Sequence, residues 1–224
     1  EAQGPQAGAW LRFAPGTDEV VLRVALSHVD EAGAHSNFEA ELAGRSFDVG
    51  QAEGEAHWRE VLGGVRVRGG SDEQRTIFHT ALYHAYLWPN RFQDVDGRYR
   101  GIDGAIHHAD FNYHSNFSMW DTFRTTHPWF ILARPDDQRA MVKSLLRMVV
   151  DGGVLPRWAL GHGYTGGMVG TPAAQILAET ALKGIEGWDQ QAGFSAALRA
   201  ATEPVEHAGR QGLTHYLSEG FVPI

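Results

Sequence analysis

The sequence predicts a mainly α-helical protein, a partial ring of helices preceded by a few strands. Three observations carry this. From residue 71 onward, apolar residues recur every three or four positions and no strand pattern separates the helices, which argues against a parallel α/β sheet. The helices are joined alternately by short turns and long loops, which fits a toroid better than a simple bundle. Upstream, residues 20–27 are rich in β-branched side chains with partial alternation.

Taken in order, Trp10-Leu11-Arg12-Phe13 reads as a short strand and residues 20–27 as a second, with Gly16 as a turn between them. Residues 1–9 read as a frayed end. Two strands rarely make a stable sheet alone, so residues 1–48 are expected to form the edge of a larger β domain. A helical linker is expected over 49–70. Its helix spans 51–62, with Trp58, Val61 and Leu62 as the apolar stripe and Gly63-Gly64 as the stop, followed by a short strand over 65–68. The helical ring is expected over 71–224. Ser71 followed by Gln74 is a capping box, and Ile77, Phe78, Ala81, Leu82, Ala85 and Tyr86 keep one face of the next helix apolar. Pro89 stops it, and Asp96-Gly97 predicts a hairpin turn within 94–99. Further helices are predicted over 119–132, 135–150, 171–183 and 188–201. Between them, residues 151–170 form a long loop with seven glycines, of a length that points to function. Residues 216–223 read as loop.

Composition excludes several functions. With 19 basic and 27 acidic residues the net charge is −8, which argues against nucleic acid as a partner. No cysteine is present, so disulfides, thiolate metal sites and cysteine nucleophiles are ruled out. No apolar run approaches the roughly 20 residues of a membrane span. The chain begins at Glu1 without a Met, and a piece of a longer polypeptide is the expectation. Seven Trp and twelve His are the aromatic and imidazole types found around sugars, although most single Trp residues are expected in the core.

The densest group of reactive side chains lies in residues 113–129. Asp121 and Arg124 share a helical face, with Trp120 beside them. A carboxylate and a guanidinium can accept from and donate to vicinal sugar hydroxyls while an indole packs on the pyranose C–H face. The alternative is an Asp favoured at a helix N-terminus and ion-paired to Arg124. Asp94-Val95-Asp96-Gly97 resembles the opening of a calcium loop but lacks the later ligands, so a turn is preferred. His107, His108 and His114 lack zinc spacing, and neither phosphate-binding glycine loops nor a serine-hydrolase elbow occur.

Phe117-Ser118-Met119-Trp120-Asp121-Thr122-Phe123-Arg124, followed by His127-Pro128, resembles the hallmark segment of glycoside hydrolase family 92. Other blocks fall in the family's order: Ser36–Glu41, Ile77–His84, Asp94–Gly101, Gly153–Trp158 and Gly212–Pro223. The resemblance implies a β-sandwich, a helical linker and an (α/α)6 barrel. In this chain that means the C-terminal edge of the sandwich, the linker and the first four or five barrel helices. It implies a calcium-dependent, exo-acting, inverting α-mannosidase that removes terminal mannose from glycans, α-1,2-linked foremost, in a secreted or periplasmic setting. It implies sugar contacts at Trp120, Asp121 and Arg124, with Trp158 and His162 lining the same end. The chain departs from the family at Tyr164-Thr165, where Glu-Thr is common. The acid Glu, the base Asp and most calcium ligands are expected beyond Ile224, in the remainder of the same polypeptide. The alternatives are a non-catalytic sugar-binding remnant and another (α/α)-barrel hydrolase or lyase.

Overall fold

The structure is a computed structural model and describes residues 8, 10–205 and 210–223. It is mainly helical, with helices α1 (Glu31–Glu41), α2 (Phe47–Gly63) and α3 (Asp72–Ala85) leading into a long segment of short strands. That segment contains β1 (Asn90–Arg91), β2 (Arg98–Arg100), β3 (Ile106–His108) and β4 (His114–Ser115). Then follow α4 (Met119–Thr122), α5 (Thr126–Ala133), α6 (Pro135–Gly152), the hairpin β5 (Ala159–Leu160) and β6 (Gly163–Tyr164), α7 (Pro172–Leu182), α8 (Gln190–Thr202) and α9 (Leu213–Glu219). The three two-stranded sheets, β1–β4, β2–β3 and β5–β6, are all antiparallel. No described helix is long and apolar enough to cross a membrane.

The helix signals act as expected where they are local. Ser71 Oγ accepts from Gln74 N–H at 3.2 Å and Gln74 Oε1 accepts from Ser71 N–H at 2.9 Å, closing the capping box. α6 starts on Pro135 and ends where Gly153 adopts φ +86. Met141, Leu145 and Met148 of α6 are almost fully buried at the centre of the core. α5 is apolar nearly all round, the pattern of a helix meant for burial, yet its Leu132 is 79% exposed among the described residues, and in α7 Leu182 is 87% exposed on the face that carries Gln175 and Glu179.

Several expectations are corrected. Neither 10–13 nor 20–27 forms a strand, because no described segment pairs with them and an unpaired strand leaves its backbone groups unsatisfied. Residues 31–41, placed in a β edge, form α1, held by a cap rather than an apolar stripe: Asp30 Oδ1 accepts from Gly33 N–H at 2.6 Å. The linker helix begins at Phe47, earlier than expected, with Ser46 as its cap. No strand forms over 65–68. Asp94–Gly97 is a turn, closed by Gly97 N–H to Asp94 C=O at 2.9 Å, but the hairpin itself pairs β2 with β3. The single helix over 119–132 is two helices, broken at 123–125. Residues 213–219 form α9, which takes up 216–219 of the expected 216–223 loop.

A buried polar chain joins α5, α6 and α7. His127 Nδ1 lies 2.9 Å from Gln138 Oε1, and Gln138 Nε2 donates to Thr180 Oγ1 at 2.8 Å. The amide oxygen only accepts, so His127 carries its proton on Nδ1 and leaves Nε2 buried without a partner among the described residues. Burial pushes the His127 imidazole down to about 4 from the ordinary 6.5, and burial also lowers His114. The unfolded chain therefore binds more protons than the folded one between about pH 4 and 6.5. Stability is complete above 6.5 and falls as the pH drops toward 4, by about 3 kcal/mol for His127 alone. Urea midpoints of the full-length protein at pH 4.5 and 7.5 check this. His127→Asn should shrink the difference, and a midpoint equal at both pH values contradicts the account.

Candidate functional site

The Trp120–Arg124 turn sits between the long 86–118 segment and α5. Ser118 precedes α4 and its hydroxyl donates to Asp121 Oδ2 at 2.5 Å. Asp121 and Arg124 are both exposed. The Arg124 guanidinium carbon lies 4.8 Å from the Trp120 ring centre and 4.6 Å from that of Phe123, so its charge rests on two aromatic faces. Among the described residues Asp121 and Arg124 form no ion pair with each other, so the paired alternative is not realised. Among the described residues, a carboxylate with one hydrogen bond and a guanidinium with none remain on one exposed turn beside an indole. That arrangement can accept from and donate to adjacent hydroxyls at once.

The hairpin β5–β6 brings the other two candidates to this turn. Phe117 and Ala159 form an antiparallel bridge, and that register sets Trp158 across from Ser118. His162 lies in the hairpin turn, exposed, further from Asp121 along the same register. Trp158 is half-buried. The backbone of Gly167 lies against one face of its ring, so closely that a Cβ there would sit 2.8 Å from Cε3. The bridge thus sets the Trp158 backbone across from Ser118, with its ring against Gly167, and leaves His162 four residues further on, in the hairpin turn.

Two residues that sequence reasoning passed over hold this joint together. Asn116 adopts φ +61, a left-handed conformation that is uncommon outside glycine. Its Nδ2 donates to Asn90 Oδ1 at 2.6 Å, and its Oδ1 accepts from Gly161 N–H at 2.7 Å, while the Ser115 hydroxyl donates to Gly161 C=O. These bonds hold the strained residue in place, the usual condition for such strain to persist. The signal was visible in principle, since Asn tolerates the left-handed region better than most residues. Arg157, 4% exposed, donates from Nε to Gly167 C=O at 2.9 Å and from its terminal nitrogen to Gly166 C=O. The glycine-rich loop is therefore pinned: Tyr164 Oη also donates to Val154 C=O at 2.6 Å.

The acidic residues of the 94–110 stretch do not gather. Asp94 bonds Ser27 and Asn37, Asp96 pairs with Arg98, and Asp103 meets His107. Among the described residues no group of three or more His, Asp or Glu is arranged to hold a metal ion. These carboxylates therefore do not together offer a calcium site.

Three comparisons set this geometry among known proteins. Residues 33–224 match the glycosyl hydrolase family 92 catalytic domain. A curated relative from Arthroderma benhamiae, described as an uncharacterized secreted glycosidase, is 26% identical over 97% of this chain and 26% of its own length. A family GH92 α-mannosidase from Bacteroides thetaiotaomicron, solved in complex with mannoimidazole, superposes with a TM-score of 0.80 at 33% identity, over 88% of this chain and 26% of that one. A family GH92 inverting mannosidase from the same organism gives a TM-score of 0.82 at 28% identity, over 88% and 27%. The chain spans about a quarter of the length of the relatives it matches.

Proposed function

The chain belongs to glycosyl hydrolase family 92, and from that membership we propose that it is part of an exo-acting, inverting α-mannosidase. Its substrates are glycans ending in α-linked mannose, α-1,2-linked foremost, and its setting is secreted or periplasmic. The observation that carries the reading is the exposed Trp120–Arg124 turn, where the Asp121 carboxylate and the Arg124 guanidinium are left unpaired with each other beside an indole. In this role the indole of Trp120 packs on the apolar face of the terminal mannose. Asp121 accepts from its hydroxyls and Arg124 donates to them, with Trp158 and His162 bordering the same end. These contacts orient the ring.

Inversion needs two carboxyl groups roughly 6.5–9.5 Å apart, an acid for the leaving oxygen and a base for water. We assign neither to this chain, and propose that both, with the calcium ligands, belong to the remainder of the polypeptide. Residues 10–26 then complete a sandwich edge supplied by other strands. The test is hydrolysis of an aryl α-mannoside by the full-length protein, followed by proton NMR of the first product. β-Mannose appearing first is the expected result. α-Mannose appearing first overturns inversion, and no hydrolysis overturns the activity.

A further inference from the structure

A second pocket lies on the flank of the molecule, between the linker helix and the start of α6. Its cavity of about 390 Å3 is within the range of small-ligand sites, roughly 300–1,000 Å3. Trp58 of α2 and Tyr86 at the end of α3 supply flat faces. Trp58 is braced edge-on against Tyr83 at 4.5 Å, and the Tyr86 hydroxyl accepts from Trp129 Nε1 at 3.2 Å. Arg134 lies 5.7 Å over the Tyr86 ring and donates to Asp137 Oδ2 at 2.6 Å. Arg91 lines the same cavity, exposed, and its guanidinium makes no hydrogen bond or ion pair among the described residues. α5 separates Arg134 and Asp137 from the Asp121 turn, and its eight residues rise about 12 Å.

The informative residue is His114. It lines the cavity yet is only 7% exposed. Its Nδ1 lies 2.8 Å from the Asn112 carbonyl, which can only accept, so the proton sits on Nδ1. Its backbone N–H is held by Ser144 Oγ at 2.9 Å. The Nε2 lone pair has no partner among the described residues, and burial keeps the ring neutral. An unpaired acceptor lone pair at the cavity wall can take a hydroxyl proton, and a fully deprotonated anion has none to offer. A lone-pair nitrogen, a carboxylate, guanidinium donors and two aromatic faces together suit a neutral polyhydroxylated ring.

We propose that the pocket lined by Trp58, Tyr86, Arg91, His114, Arg134 and Asp137 binds a sugar residue without cleaving it. A glycan branch held there would keep its other ends near the protein and raise their effective concentration. The proposal does not depend on which residues hydrolyse mannose.

Hydrogen–deuterium exchange of the full-length protein, titrated with methyl α-mannoside, locates the binding. Protection is expected over residues 86–91 and 134–141, separately from any over 118–124. Trp58→Ala and Arg91→Ala should each weaken the flank protection about ten-fold or more, one lost stacking or charged contact, with hydrolysis unchanged in both; the melting temperature stays unchanged in Arg91→Ala and falls in Trp58→Ala, which also loses the Tyr83 contact. Absence of flank protection, or its survival in both variants, overturns the proposal. Protection by phosphate or acetate but not by the sugar also overturns it, because the pocket would then be an anion site. Failure of the mannosidase reading shows separately, as lost hydrolysis or absent protection over 118–124.

Discussion

Replacing Asp121 with Ala in the full-length enzyme lowers kcat/KM for an α-mannoside by about 100- to 1,000-fold, or about 3–4 kcal/mol of transition-state stabilisation. Fold stability changes by less than about 1 kcal/mol. The two effects separate because of where the carboxylate sits. It is exposed, and its one protein hydrogen bond comes from the Ser118 hydroxyl at 2.5 Å, so the fold loses little. A sugar loses more, because hydroxyls drawn from water into the site would have no charged acceptor. Asp121→Asn keeps the shape and one acceptor oxygen, and should fall between wild type and Ala. Arg124→Lys should also cost activity, since an ammonium cannot spread over the Trp120 and Phe123 faces as the planar guanidinium does. Steady-state kinetics and urea midpoints on the same preparations decide the matter. An Asp121→Ala enzyme with unchanged kcat/KM removes Asp121 from the site, and parallel losses of activity and stability make its role structural.

What the sequence made legible was local. The Ser71–Gln74 capping box, the Pro135 start and the Gly153 stop each act within one turn, so composition at that turn sufficed. Of the Trp120, Asp121 and Arg124 grouping, the structure shows Trp120 and Arg124 meeting, guanidinium over ring at 4.8 Å, although Arg124 lies in the 123–125 break and not on the helical face expected for it. The rest was settled by tertiary contacts. α1 carries little apolar stripe, since its buried residues are Gly33 and Asn37, and it exists through bonds to a loop 57 residues away. The break at 123–125 holds no Gly or Pro itself, and its signal was Pro128, which cannot donate to Arg124 C=O and so belongs in the first turn of a new helix. His127 looked like part of a sugar-binding segment, and it is a fully buried link to Gln138 and Thr180. Asn116 and Arg157 stayed hidden because their partners, Gly161 and the 166–167 backbone, come together only once the hairpin folds back. In the candidate site, therefore, the side chains left exposed were readable from spacing, and those that aim the loops were not.

The same Gly→Ala change should destabilise the protein at one position and stabilise it at two others. At Gly33, in the first turn of α1, a Cβ would sit 2.6 Å from Ser27 Oγ and closer still to Asp94 Oδ2. Neither neighbour can yield easily. Asp94 is 3% exposed, accepting from the Ser27 hydroxyl at 2.6 Å and from Asn37 Nδ2 at 3.0 Å. Asn37 in turn donates to Leu26 C=O at 2.8 Å and accepts from Val95 N–H at 2.9 Å. Moving the carboxylate aside leaves a buried charge short of donors and frees α1 from the 86–118 segment that leads into the Asp121 turn. Overpacking adds about 1–3 kcal/mol and an unsatisfied buried group about as much again, so a loss of about 3 kcal/mol is expected. Gly50 and Gly54 lie in α2 with open space where a Cβ would go. Ala there should stabilise by about 0.5–1 kcal/mol, through helix propensity alone. Urea midpoints of the full-length protein check both signs. A Gly33→Ala midpoint equal to wild type would mean that Asp94 is not clamped against α1. Loss of stability at Gly50 or Gly54 would mean that α2 packs against a surface beyond this chain. Because Asp94 lies outside the Asp121 turn, the Gly33 effect should be felt first in stability and only then, as the loop loosens, in turnover.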